Sequence, residues 1–109
     1  MGKTNKLPYK VTPSSDNKLV SILLNGNLSI DRMEAVRIML SQNLERYPKF
    51  HLKLDDVESI DLGMIQLLYS FKWTAEQKSK SVAIDFNLQD DQKQLLEHAG
   101  FAELINGNQ

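Results

Sequence analysis

Few residues in this chain have types and spacings that could do chemistry. Neither His51 nor His98 has a second histidine at a metal-ligand spacing such as i, i+4, so a metal site is not expected at either. The chain has no cysteine, which excludes thiolate metal sites, disulfides, redox motifs and a Cys nucleophile. It contains no G-x-S-x-G, no glycine-rich phosphate loop and no H-E-x-x-H. The carboxylate pairs Asp55/Asp56 and Asp90/Asp91, the second at the edge of the last predicted helix, are expected in apparent loops and read as solvated turns rather than an acid/base dyad. Trp73 beside Lys72 and Lys78 would suit base stacking. However, 13 Lys+Arg against 14 Asp+Glu give a net charge of -1, so Trp73 reads better as a half-buried helix residue than as a nucleic-acid contact. The expectation is no catalytic residue, no metal, no cofactor and no nucleic-acid partner.

Other positions read as structural features that a partner could also use. Gly26 fits a strand-to-strand turn that needs positive φ, and Asn25 and Asn27 supply its turn chemistry. Asp61 stands where it would cap a helix, its carboxylate accepting from unpaired backbone N–H groups. Leu62, Gly63 and Met64 follow as a short apolar stretch. Helical spacing groups Met64 with the core and leaves Leu62 and Gly63 facing outward, an exposed apolar feature suited to docking.

The elements that position these residues alternate along the chain. Tyr9–Thr12 and Lys18–Leu24 are predicted as a hairpin across the Pro13–Asn17 turn signal, and Asn25-Gly26-Asn27 ends the second strand. Leu28 and Ile30 re-enter the core, and Asp31 with Glu34 resembles a capping box. Met33, Val36, Leu40, Leu44 and Tyr47 then predict a helix over 32–46, stopped by Pro48. Residues 50–54 alternate as a strand, and Asp55–Asp61 forms a crossing. A second helix buries Met64, Leu67, Leu68, Phe71 and Ala75. A strand over 81–86 and a helix over 89–99 follow, with Gly100 as C-cap, and Phe101, Leu104 and Ile105 close the core. The ββ–α–β–α–β–α order demands crossovers, hence an α/β fold with a mixed four- to five-stranded sheet and helices mainly on one face. The domain is expected over 9–105, with flexible ends at 1–8 and 106–109. No stretch reaches the roughly 18 apolar residues of a membrane helix. The start lacks signal-peptide features, so a cytoplasmic protein without direct membrane insertion is the simplest expectation.

Four blocks in this order resemble a STAS domain, the module shared by bacterial anti-sigma factor antagonists and the cytosolic tails of sulfate transporters. Leu24-Asn25-Gly26-Asn27-Leu28-Ser29-Ile30 is similar to the family's L-x-G-x-L-x-I. Leu52 to Asp61 is similar to L-x-L-x-x-V-x-x-I-D, Ile65-Gln66-Leu67-Leu68 to the start of the family's second helix, and Leu95 to Phe101 to L-L-x-x-x-G-F/L. The resemblance spans roughly residues 18 to 105.

This resemblance implies a bacterial, non-enzymatic module that binds a protein partner. In the switch class a serine two residues after the Asp accepts phosphate from a partner kinase. The added charge beside a helix N-terminus changes which partner fits. Here that position is Gly63, which has no hydroxyl, and Ser29 stands where the switch class tends to carry an acid. Ser59, two residues before Asp61 at a strand end, is the hydroxyl nearest the site and the remaining candidate for phosphorylation. The implied surface is Ile60, Asp61, Leu62, Gly63 and Met64 with the helix face of Gln66, Tyr69 and Ser70, beside Asn25, Asn27 and Ser29. Two partner classes are implied: an anti-sigma factor or serine kinase, or the ATPase of a lipid-transport ABC system served by an accessory STAS subunit. A nucleotide-binding module is a third reading, which no phosphate-cradling loop supports.

Overall fold

The computed structural model describes residues 7–98 and residue 100. In chain order it comprises β1 (Tyr9–Pro13), β2 (Leu19–Leu28), a 3-10 helix (Ile30–Arg32) leading into α1 (Met33–Leu44), β3 (Lys49–Ile60), α2 (Leu62–Gln77), β4 (Ser81–Phe86) and α3 (Asp90–His98). The strands lie in the spatial order β1-β2-β3-β4. β1 and β2 pair antiparallel, as residues joined by a tight turn can, whereas β2–β3 and β3–β4 are parallel and need the helical crossovers α1 and α2. The hairpin turn is built by Asp16. Its carboxylate accepts from the Ser14 hydroxyl at 2.7 Å and the Lys18 N–H at 3.1 Å, and these bonds hold its pKa below the usual carboxylate value.

Period-two alternation sets the two faces of the sheet. Val20, Ile22, Leu24, Phe50, Leu52, Leu54 and Val82 are buried against Val36, Met39 and Leu40 of α1 and Met64, Ile65, Leu68, Phe71 and Ala75 of α2. Intervening residues such as Ser21, Lys53, Ala83 and Asp85 are exposed on the other face. There Asp85 meets His51 Nε2 at 2.6 Å. The expected α/β architecture, with a mixed sheet and helices mainly on one face, is the one observed.

Several local expectations are corrected. β2 does not end at Asn25-Gly26-Asn27 but runs to Leu28, and β3 continues through Asp55 and Asp56 to Ile60. From the Leu24↔Leu54 pair to the Leu28↔Ile60 pair, β2 advances four residues and β3 six, with register shifts between. The positive φ of Gly26 (71°) and Asp56 (51°) is spent on these bulges rather than on a turn. Asp90 and Asp91 are likewise not in a loop; they occupy the first turn of α3, where carboxylates complement the helix dipole. The expected capping box is absent. A 3-10 turn places Asp31 inside the helical stretch, and Glu34 pairs with Arg37 instead. Gly100 does sit at positive φ past α3, its N–H bonded to the Glu97 carbonyl. Phe101, Leu104 and Ile105 lie outside the described residues.

Candidate functional site

The carboxyl ends of the parallel strands β2 and β3 bring most of the singled-out residues together. Asn27 is in register with Ser59, and Leu28 with Ile60. The Asn27 side-chain oxygen accepts from the Ser29 N–H and from the Ser59 hydroxyl, both at 2.9 Å, joining the two strand ends. Asp61 then links the next residues. It occupies the N-cap position of α2, and its backbone carbonyl accepts from the N–H groups of Met64 and Ile65 at 3.0 and 3.4 Å. Its carboxylate, however, makes no cap hydrogen bond, against expectation. It accepts from the Ile30 N–H at 2.6 Å, tying the exit of β2 to the entry of α2. Ile30 is two residues past the end of β2, so its N–H has no ladder partner, and a bond to a charged acceptor satisfies it better than water.

Burial divides the expected surface into supports and exposed groups. Ile60 and Met64 belong to the core, so their side chains support the site rather than line it. Leu62, expected to face outward, is half-buried and packs against the core cluster, because the first turn of α2 leans over the end of the sheet. A Cβ on Gly63 would stand 3.1 Å from the Met33 sulfur, so the α1 side chain closes over this position. Gln66, Tyr69 and Ser70 are exposed, as expected. Asn25 is set apart: its N–H donates to the Pro8 carbonyl at 3.0 Å, on the β1 side of the sheet.

Two members of the surface run against expectation. Ile30, expected in the core, is 70% exposed, because the 3-10 turn rotates it out of the alternation that buries Leu28. Trp73, expected half-buried, is 65% exposed and lies four residues beyond Tyr69, itself 51% exposed. With Gln66 and Glu76 these aromatics form the outer stripe of α2, opposite Met64, Leu68, Phe71 and Ala75, along a groove of about 810 Å³. The signal was present in the sequence: once 64, 68, 71 and 75 face inward, 69 and 73 must face outward. Among the described residues no group of three or more His, Cys, Asp or Glu is placed to hold a metal ion, and no helix is long and apolar enough to cross a membrane.

The fold matches known proteins. A family model described as "Mlab, STAS domain" matches residues 11–106. No curated protein sequence matches the chain. Among solved structures, the Bacillus cell fate determinant SpoIIAA in its phosphorylated form is similar at a TM-score of 0.66 and 14% identity, covering 93% of this chain and 91% of that one. The anti-sigma factor antagonist SpoIIAA in its unphosphorylated form is similar at 0.59 and 14% identity, covering 82% and 81%. A structure of Mglu is similar at 0.60 and 20% identity over 74% of this chain but only 19% of its own. At these identities the structural likenesses speak for the fold, while the family model spans nearly the whole domain. The chain belongs to the STAS domain family.

Proposed function

We propose that the chain is a non-enzymatic, cytoplasmic bacterial interaction module, an anti-sigma-factor-antagonist-like regulator that binds its protein partner without serine phosphorylation at the usual site. The observation that carries this reading is the Asp61–Ile30 hydrogen bond at 2.6 Å. It fixes the start of α2 against the exit of β2 and so preorganises a surface on which Ile30, Gln66, Tyr69 and Trp73 are exposed beside half-buried Leu62 and Gly63. Exposed Ile, Tyr and Trp side chains on a rigid helix are the composition of an interface core. Gly63 supplies no hydroxyl, and the packing of Met33 over it supports a site that does not take up phosphate.

A second reading is an accessory subunit docked on a transporter ATPase. It is favoured by the family model itself, which bears the Mlab name rather than that of the antagonists. Titration against a purified serine-kinase anti-sigma factor and a purified transporter ATPase from the source organism separates the two. Tyr69→Asp should weaken binding to the true partner at least about tenfold, as loss of an interface anchor does, while leaving the thermal midpoint in place. Full affinity in Tyr69→Asp and in Trp73→Asp would remove α2 from the interface.

A further inference from the structure

We propose that the groove beside the carboxyl ends of β2 and β3 binds a small zwitterion of the amino-acid or short-peptide class. Lys10 and Arg32 hold its carboxylate, and Asp56 and Glu58 hold its ammonium. The groove measures about 450 Å³, within the range of small-ligand pockets, and these four residues line it together with Asn25, Gly26 and Asn27. It lies at the end of the parallel strands where open α/β sheets receive their ligands.

Three observations carry this assignment. First, the charges are unspent. Among the described residues none of Lys10, Arg32, Asp56 and Glu58 has an ion pair, and none of their side chains makes a hydrogen bond. The neighbouring amides are in reserve too: the Asn25 side chain makes no bond there, and Asn27 uses only its oxygen, on Ser29 and Ser59. Second, the topology separates the two signs. Lys10 stands on β1, Asp56 and Glu58 stand on β3, and β2 runs between them as the floor. Two strand spacings, about 10 Å, divide the walls, so a molecule with opposite charges at its ends bridges what the side chains do not. A simple anion drawn to Lys10 and Arg32 would also face two carboxylates, and a simple cation would face the two basic groups. Third, the backbone is bent to put the carboxylates there. Strict alternation from buried Leu54 would point residues 56 and 58 at the core. The bulge at Asp56, with φ at 51° in the left-handed region, buries Val57 instead and leaves Asp56 and Glu58 exposed on the groove. The site does not rest on the partner reading above.

Titration of the nitrogen-15-labelled, full-length chain with glycylglycine tests the site. The amides of residues 25–28 and 57–59 should shift and saturate. N-acetylglycylglycine, which lacks the ammonium, and glycylglycinamide, which lacks the carboxylate, should each bind about three- to tenfold more weakly, the range of exposed to partly desolvated charge pairs. Paired substitutions then assign the two ends. In Asp56→Asn/Glu58→Gln, acetylating the dipeptide should cost nothing further while amidating it still does, and Lys10→Gln/Arg32→Gln should show the reverse. An unchanged thermal midpoint checks that the variants fold, and the comparison of capped with uncapped dipeptide on the unaltered chain decides the proposal without them. Equal binding of the three dipeptides would overturn it, as would the absence of saturable shifts with glycylglycine or saturation at amides away from the groove.

Discussion

At Gly63 a single missing Cβ links backbone propensity, packing and function. A glycine inside a helix costs about 0.5–1 kcal/mol relative to alanine, so in isolation Gly63→Ala should stabilise α2. The Met33 sulfur, 3.1 Å from the new Cβ, opposes that gain by making a flexible side chain give way. The expected outcome is near-neutral stability for Gly63→Ala alone and a gain of about 0.5–1 kcal/mol when the same change is made in a Met33→Ala background. Urea denaturation of the four chains measures the coupling, and strict additivity would mean that Met33 does not close the site. Gly63→Ser, which adds a hydroxyl at this position, meets the same sulfur. That residue 63 carries no hydroxyl was plain in the sequence alone. The sequence could not identify Met33, because that contact depends on how α1 lies across α2.

At the scale of elements, the two helical crossovers are held in place by backbone carbonyls that would otherwise be orphaned. The ammonium of Lys80 donates to the carbonyls of Leu44 and Tyr47, satisfying the C-terminus of α1 from the start of β4, and Lys72 donates to the Val82 carbonyl on edge strand β4 at 2.8 Å. Lys80→Met keeps the aliphatic stem and removes both bonds and the charge at the helix end. It should cost about 1–2 kcal/mol in urea denaturation, whereas Lys78→Met, which loses only an exposed 3.6 Å pair with Glu45, should cost well under 1 kcal/mol. Equal costs would show that Lys80 does not cap α1. Periodicity gave the identity of these elements, and their lengths were harder to read. Asn-Gly-Asn and Asp-Asp are turn residues because they tolerate positive φ, and a parallel pair uses the same tolerance for bulges. Local chemistry cannot tell the two uses apart; only the strand opposite decides. The site felt that ambiguity most, because both bulges lie where β2 and β3 deliver their ends to it.

For the whole molecule, the question is how a chain with a well-filled core leaves large apolar groups in water. Phe50 and Phe71, edge to face at 5.2 Å, join sheet to α2 at the centre, and every polar side chain buried among the described residues is bonded. Asn43 donates to the Met39 carbonyl, and Gln92 donates to Val57 and accepts from Gln89. Against that interior, Ile30, Tyr69 and Trp73 are conspicuous, since helix geometry turns them away from the core and into solvent. Burying their area against another surface is the gain available to them, at about 25 cal/mol per Å² before association costs. The single tryptophan makes this measurable. At 65% exposure, Trp73 should emit in the folded protein close to the wavelength of the urea-unfolded chain and be quenched by iodide almost as strongly. Adding the true partner should shift the emission to the blue and protect it from iodide, and Tyr69→Asp should abolish both changes. A folded protein whose tryptophan is already blue-shifted and protected before any partner is added would mean that α2 keeps its outer stripe covered. The binding surface would then have to be sought on the open face of the sheet, around His51 and Asp85.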